Sequence, residues 1–184
     1  MEFSLTPSEQ RTLLVVARNA IRERLGLPVP SPPGETTPAL QRPCGAFVTL
    51  HKQGRLRGCI GHITASRPLI ETVREMAVSS ALHDPRFSPV VRGEVDELHV
   101  EISVLSPFRR ISDPGEIEVG VHGILLRSGG RSGLLLPQVA TEQGWDRDTF
   151  LDHTCMKAGV PPGTWREEGT EIEIFSAIVF SEEP

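Results

Sequence analysis

A cysteine with glycines and arginines on either side is the part of this sequence best suited to chemistry. Cys59 directly follows Gly58, Gly61 comes two positions later, and Arg55 and Arg57 precede it. Nearby cations lower the pKa of a thiol from about 8.5, and the thiolate is the nucleophilic form. Glycine tolerates positive φ and lets the backbone approach a ligand closely. The stretch therefore predicts a nucleophile, an anion-binding field and an accessible backbone at one place.

The same residues have a structural interpretation, which the sequence leaves open. Cysteine is among the residue types most often buried, so Cys59 could equally pack inside a tight sheet beside its glycines. Arg57 could bind a carboxylate or phosphate through two parallel hydrogen bonds, or it could pair with a structural acid. The exposure of Cys59 distinguishes the two interpretations.

Length and charge limit the class of protein. The chain has 184 residues, a formal net charge of −5 and a pI of about 5.7, which favours one domain over residues 1–184 and predicts no nucleic-acid partner. No segment reaches the ~20 apolar residues of a membrane span. The start, residues 1–4, lacks a signal-peptide pattern, so we expect a cytoplasmic protein with free thiols.

No cofactor or metal site is predicted. The three cysteines at positions 44, 59 and 155 fit neither a disulfide framework nor a zinc pattern, and the histidines show no ligand spacing. The glycines around Cys59 are too closely spaced for a phosphate-binding loop.

The elements that must position these residues follow from hydrophobic periodicity. A capping box at residues 6–9 begins a helix that Gly26 can end, and a second helix runs from Pro68 to just before Asp84. The prolines of residues 28–43 predict an extended loop inside the domain. Strands are predicted at residues 45–51, 56–63, around 100–104, 116–120, 124–128, 133–136 and 172–180, and a third helix follows Asp146 through Lys157. Runs of strands between few helices favour an antiparallel α+β fold.

Residues 56–61, Leu-Arg-Gly-Cys-Ile-Gly, resemble the signature hexapeptide of the AMMECR-type domain family. Five further segments resemble the family's pattern in the same order: residues 45–50, 84–87, 120–124, 136–140 and 142–145. The resemblance covers nearly the whole chain and is weakest over the proline-rich loop. The chain departs from the pattern at His62 and at residues 134–135.

The resemblance implies a fold more than a function. Such domains are α+β, with a larger lobe, a smaller lobe and a cleft between them. Prokaryotic members resemble protein A of the AmmeMemoRadiSam set, which implies a Memo-like protein and a radical SAM protein as partners.

The family pattern also suggests that residues distant in sequence converge on Cys59. His122, between two glycines, could act as a base, although it could instead be a turn histidine. Glu142 could orient His122 or act as an acid, or it could equally be a solvated glutamate at the entry to a helix. Gln138 carries a weaker form of the same prediction. Arg86 is a candidate ligand-binding residue, although a role in bridging elements, together with Asp84, is the stronger expectation.

Two functions remain open at this stage. In the first, the protein is a thiol-dependent enzyme or small-molecule binder: Cys59 reacts with a small anionic metabolite, His122 is the base and Arg57, Gly58 and Gly61 hold the ligand. In the second, the protein is a non-enzymatic binding or scaffold module that works with the Memo-like and radical SAM proteins. Whether the protein is an enzyme is not decided by its sequence.

Overall fold

The computed structural model describes residues 4–30, 33–64 and 66–183. The expected lack of a signal peptide rests partly on residues 1–3, which lie outside the described residues. Pro32 of the proline-rich loop lies outside them as well. The chain divides into two compact units. The first takes the chain up to Leu105 and again from Ile178, and the second takes Ser106–Ala177.

The elements are five α-helices and eight strands, and the strands come in runs between the helices over the described residues. The helices are α1 (Pro7–Arg24), α2 (Pro38–Gln41), α3 (Leu69–Leu82), α4 (Pro137–Gln143) and α5 (Arg147–Lys157). The strands are β1 (Ala46–Lys52), β2 (Arg55–His62), β3 (Leu98–Leu105), β4 (Arg109–Ile111), β5 (Gly123–Ser128), β6 (Arg131–Leu135), β7 (Glu171–Phe175) and β8 (Ala177–Ser181). Both sheets are antiparallel and helices accompany them, which confirms the α+β fold.

In the first unit, a four-stranded sheet in the order β2-β1-β3-β8 carries α1 and α3 on one face. The capping box is present, since Thr6 and Glu9 exchange hydrogen bonds at the start of α1. Val48 and Leu50 of β1 and Ile102 of β3 point towards the helices and are fully buried. Their alternation with partly exposed residues fixes which face of each strand packs against the core.

The proline-rich loop contains a helix that the sequence analysis did not predict. Pro38 stands at the first position of α2, a single turn. Proline is tolerated there because the first N–H groups of a helix have no intrahelical acceptor. The expectation that residues 28–43 exclude regular helix is therefore wrong at 38–41. Leu40 of this turn is fully buried.

The second unit contains a sheet in the order β4-β7-β5-β6, and two predictions fail in it. Residues 116–120 form no strand: a 3-10 helix ends at Glu116, and the carbonyl of Glu118 accepts the N–H groups of Val121 and His122. The alternating apolar residues, Ile117 and Val119, belong to a loop. Ile117 is buried in the core and Val119 packs against it. Helix α4, which ends at the left-handed Gly144, is an element the pattern did not predict.

The predicted final strand, residues 172–180, is two strands in different sheets. β7 pairs with β4 and β5, whereas β8 is the edge strand next to β3. The break falls at Ser176, whose N–H donates to the Ser106 hydroxyl at 2.9 Å. Because apolar residues resume directly after Ser176, hydrophobic pattern alone does not mark the break.

None of the helices in the described part of the chain combines the length and the apolarity that a bilayer crossing requires.

Candidate functional site

Cys59 lies in the edge strand β2 and is half-buried. It is paired with Thr49 of β1, whose hydroxyl Oγ1 donates to the Cys59 Sγ at 3.3 Å. Both side chains stand on the face of the sheet opposite α1 and α3, because the neighbouring pairs Leu50–Gly58 and Val48–Ile60 face the helices. The thiol is therefore outside the helix-covered core of the first unit and is bonded to a hydroxyl donor.

The turn after α3 fastens the backbone of Cys59 to the rest of the first unit. The N–H of Cys59 donates to Asp84 Oδ2 at 2.9 Å, and the carbonyl of Cys59 accepts Arg86 Nη2 at 3.3 Å. Arg86 also grips Asp84 through Nε and Nη2, at 3.0 and 2.8 Å. The two side chains thus satisfy both backbone groups of Cys59 that point away from β1. Arg86 therefore bridges the turn after α3 and strand β2, which is the role predicted for it.

The ion pair of this turn joins a buried carboxylate to an exposed guanidinium. The side chain of Asp84 is only 2% exposed, and its hydrogen bonds with Arg86 hold the pKa of the carboxyl well below its ordinary range, with the N–H of Cys59 acting in the same direction. The pKa of Arg86 is raised by the Asp84 carboxylate, through its hydrogen bonds first and its charge second. The Arg86 side chain is 56% exposed, so a fixed cation lies next to Cys59 and reaches solvent.

Arg57 is engaged elsewhere. Its Nε and Nη2 bond the two carboxylate oxygens of Glu94 at 3.2 and 3.0 Å, and its Nη1 donates to the Ser88 carbonyl at 2.9 Å. Lys52 bonds the same carboxylate at 3.3 Å. These cations, Arg57 first among them, lower the pKa of Glu94 to about 2. The guanidinium is thus paired with a structural acid, the alternative left open for it in the sequence, and its use as an anion clamp remains a prediction.

The two glycines of the signature are required for packing. A Cβ on Gly58 would lie 2.1 Å from the carbonyl oxygen of Ser80 in α3, and a Cβ on Gly61 would lie 2.2 Å from the Phe47 ring. Neither glycine has a positive φ. The close approach that glycine permits here is to a helix and to an aromatic ring. Whether either glycine also contacts a ligand stays a prediction.

Ser80 adds a polar link at this contact. Its hydroxyl donates to the Val48 carbonyl at 2.7 Å and accepts the Ile60 N–H at 2.9 Å, although the residue is 1% exposed. The hydroxyl therefore bridges a pair of residues on β1 and β2, so α3 is bonded to the strand that carries Cys59.

Polar residues continue across the sheet from Cys59. Thr49 is paired with Cys59 on one side and with Glu101 of β3 on the other, and the next pair along is His51–His99. All of these residues are partly exposed. Sequence reasoning missed Thr49 and Glu101 as neighbours of Cys59. A regular hairpin turning at Gln53 and Gly54 would pair Cys59 with Val48, and the register shift between Leu50 and His51 is what places Thr49 opposite Cys59.

His122 lies in the second unit, directly before β5. Its ring Nδ1 accepts the backbone N–H of Glu118 at 3.1 Å, and its own N–H donates to the Glu118 carbonyl at 2.9 Å. With Nδ1 accepting, a neutral ring carries its proton on Nε2 and presents a donor there. His122 is therefore bonded locally as a turn histidine. The partner of its ring is a backbone N–H, whereas the prediction for a turn histidine was a backbone carbonyl.

The other predicted residues of the second unit belong to α4. Glu142 is exposed, and Gln138 is half-buried with its carbonyl accepting the Thr141 hydroxyl at 2.8 Å. The meeting of His122, Glu142 and Gln138 with Cys59, and the cleft that the resemblance implies, stay predictions. Across the parts of the chain that the structure covers, no three histidine, cysteine or acidic side chains are grouped as a metal site would need.

Comparison with known proteins identifies the family. The model of the AMMECR1 family matches residues 14–180. The chain belongs to the AMMECR1 family. A relative from Methanothermobacter thermautotrophicus is 44% identical over 97% of both chains, and protein MK0488 of Methanopyrus kandleri is 45% identical over the whole of this chain and 93% of its own.

A solved structure is also similar to this AMMECR1 chain. The crystal structure of the uncharacterised protein PH0010 from Pyrococcus horikoshii matches with a TM-score of 0.81 and 44% identity, over 93% of this chain and 90% of that one. The resemblance drawn from the signature hexapeptide is thereby confirmed at the level of family and fold.

Proposed function

We propose that the first unit binds a small anionic molecule beside Cys59 and uses the thiol as its reacting group. The observation that carries this proposal is the environment of Cys59, with the Thr49 hydroxyl donating to Sγ at 3.3 Å and the guanidinium of Arg86 fastened to the carbonyl of the same residue. A hydrogen-bond donor and a cation both stabilise a thiolate relative to a thiol.

The cation that holds the anionic group in this proposal is Arg86. Its side chain is 56% exposed, whereas that of Arg57 is 14% exposed and already pairs with Glu94. The bonds of Arg86 to Asp84 use Nε and Nη2, which leaves Nη1 directed away from that pair. A guanidinium fixed by a buried carboxylate loses little side-chain entropy when it binds a ligand.

Proton transfer by His122, with Glu142 as its partner, remains part of the enzymatic form of this proposal. The local bonding of His122 favours a donor at Nε2, so in its neutral form the ring would supply a hydrogen bond to a ligand oxygen more readily than it would remove a proton. For Nε2 to accept a proton, the neutral ring must carry its own proton on Nδ1, and it then loses the hydrogen bond from the Glu118 N–H. The alternative, a scaffold for Memo-like and radical SAM proteins in which Cys59 only packs, is separated from this proposal by the reactivity of the thiol.

The test compares a negatively charged and a neutral alkylating agent. The full chain is treated with iodoacetate or with iodoacetamide, and modification is followed by mass spectrometry of the peptide that contains Cys59. We expect the iodoacetate-to-iodoacetamide rate ratio to exceed that of free N-acetylcysteine by about fivefold, the effect of about 1 kcal/mol of attraction to a nearby cation.

Substitutions assign the preference to Arg86. Arg86→Gln should return the ratio to that of the free thiol, and Arg86→Lys should keep most of the preference because it keeps the charge. Arg67→Gln, which removes an exposed arginine of the same unit, serves as the control and should change nothing. A Cys59 that reacts only after unfolding, or a ratio that Arg86→Gln leaves unchanged, would contradict the proposal, and the former result would favour the scaffold function.

A further inference from the structure

A groove lies between α1 and the edge strand β8 in the first unit. Its volume is about 550 Å³. Leu14 and Val15 of α1 and Phe180 of β8 provide its apolar wall, and Arg11 and Glu183 are exposed charges at its margin. These residues recur at helical spacing on one side of α1, so the groove runs along the helix.

An ion pair belongs to the lining of the groove. Arg18 bonds both carboxylate oxygens of Glu182, at 2.5 and 2.6 Å, and also donates to the carbonyls of Val95 and Leu98. Glu182 accepts the N–H of Val100 as well, at 3.0 Å. The pair holds the end of β8 against α1 and β3, so the wall formed by Phe180 has a fixed position.

The strand that borders the groove, β8, is an edge strand of its sheet, and no strand of the described residues pairs with its outer side. The N–H of Glu182 donates to the Val100 carbonyl at 3.0 Å, so the backbone groups of Glu182, and of alternate residues before it in this antiparallel strand, point towards β3. The backbone groups of Val179 and Ser181 therefore point away from the sheet. Both residues are exposed, Val179 to 47%. Such an edge is a template for a further strand.

The residues of β8 lack two of the usual protections of an edge strand against pairing. β8 reads Ala-Ile-Val-Phe-Ser, without a charge or a proline, whereas natural edge strands are commonly protected by lysine, proline or a bulge. An unprotected apolar edge next to a groove fits recognition by strand addition, in which backbone bonds provide affinity and pockets select alternate side chains.

We propose that an extended segment of another protein binds here, adding to β8 as a fifth strand and placing alternate apolar side chains against Leu14, Val15 and Phe180. Side chains of the added strand that share the face of Phe180 point towards α1, and the others point to the opposite face of the sheet. The site is distinct from that of Cys59, because β2 and β8 are the two opposite edges of the sheet, about 14 Å apart at three strand spacings.

The marginal charges indicate what flanks the apolar positions. Arg11 precedes Arg18 by two helical turns, about 10 Å along α1, so it marks the end of the groove away from the Arg18–Glu182 pair. Glu183 marks the end next to that pair. A segment with an acidic group at one end and a basic group about three residues away complements both charges, whereas a second copy of β8 followed by Glu182 and Glu183 offers only acidic ones.

The test selects binders from a displayed library of random nine-residue peptides on the full chain. We expect selected peptides with apolar residues at alternate positions and two charges of opposite sign about three residues apart. Binding of a selected synthetic peptide should weaken at least about tenfold for Val15→Asp, which places a charge in the groove. Val121→Asp, an exposed valine of the second unit, is the matched control and should leave binding unchanged.

Strand addition itself is tested at the backbone. Val179→Pro removes an outward N–H without removing a bond to β3, and should weaken the peptide to a similar extent. In the unaltered protein, the peptide should slow hydrogen exchange at the amides of Val179 and Ser181, a readout that does not depend on any variant folding.

Three results would overturn the proposal. A library that yields no specific binder would show that the edge does not accept peptides. Peptides that bind without protecting the Val179 and Ser181 amides would show a pocket ligand in place of an added strand. A concentration-dependent dimer, measured by sedimentation and abolished by Val179→Pro, would show that a second copy of this chain is the occupant.

Discussion

The two edge strands of the first unit's sheet differ in whether their outward backbone groups are hydrogen-bonded. At the β2 edge, the outward N–H and carbonyl of Cys59 are bonded to Asp84 and Arg86. At the β8 edge, the outward groups of Val179 are given no partner within the described residues. The difference shows that side chains of a turn can bond the outward backbone groups of an edge-strand residue in place of a neighbouring strand. It also separates a closed edge that fixes a thiol from an open one available to a partner.

Disturbing the closed edge should have the largest effect at Gly58. Gly58→Ala places a Cβ 2.1 Å from the Ser80 carbonyl oxygen, which is backbone and cannot rotate away. We expect a loss of about 3 kcal/mol in the free energy of unfolding, at the upper end for overpacking, measured by urea denaturation. Gly93→Ala, where a Cβ would meet nothing within 4 Å, is the matched control and should be nearly neutral. Equal losses would mean that α3 does not press on β2 as described.

The next effect is the removal of the carboxylate that closes the edge. Asp84→Asn should lower the free energy of unfolding by about 2 kcal/mol at pH 7, less than for a fully buried pair because Arg86 is half exposed. The native pKa of Asp84 lies below that of the unfolded chain, so its contribution is present above about pH 4 and is lost as the pH falls further.

The pH dependence separates this carboxylate from Glu94. Wild type should lose stability steadily below about pH 4, whereas Asp84→Asn should lose less over that interval. Glu94, with its pKa lowered to about 2, should account for part of the remaining slope. An acid profile identical in wild type and Asp84→Asn would refute the role given to Asp84.

A smaller loss is expected at the bridge between α3 and the two strands. Ser80→Ala removes the bond to the Val48 carbonyl and leaves the Ile60 N–H without its hydroxyl acceptor, which should cost about 1.5 kcal/mol. Hydrogen exchange at the Ile60 amide should become faster. Ser79→Ala, one position earlier on α3, is the comparison variant; if it destabilises as much, the bridge has no special role.

The smallest effect should occur at the open edge. Val179→Lys changes an exposed side chain and removes no described bond, so we expect the free energy of unfolding to stay within about 0.5 kcal/mol of wild type. The substitution supplies the protection that β8 lacks, so it should reduce aggregation on heating, followed by light scattering. A large destabilisation would show that the edge is already packed.

Local signals in the sequence predicted much of the fold. Thr6 and Asp146 cap the helices assigned to them, and the hairpin turn at Gly129 and Gly130 joins β5 to β6. These features succeed because the interactions that decide them span only a few residues.

The failures occur where distant contacts decide the structure. Residues 172–180 are apolar except for Glu173 and Ser176, yet the chain passes from one sheet to the other at Ser176, whose N–H donates to the Ser106 hydroxyl. Ile117 and Val119 alternate like a strand but pack as a loop. Period alone cannot distinguish these cases.

The candidate site shows the same division. Arg57 is the obvious cation beside Cys59 in sequence, but its guanidinium reaches Glu94, 37 positions away. Arg86, 27 positions from Cys59, is the cation bonded to it, and only the family resemblance drew attention to that residue. Thr49 was also missed, because the register shift between Leu50 and His51 places it opposite Cys59, whereas a regular hairpin would place Val48 there.

The position of β8 at the far end of the chain has a consequence for biosynthesis. The first unit needs Ile178 and the residues after it to complete its sheet and to form the Arg18–Glu182 pair, whereas the second unit is one continuous stretch. During translation the first unit therefore lacks β8 while the 72 residues of Ser106–Ala177 are synthesised, and β3 is its temporary edge strand. At about 5–20 residues per second this interval lasts several seconds. For that time the nascent chain exposes the β3 edge that the last strand will cover.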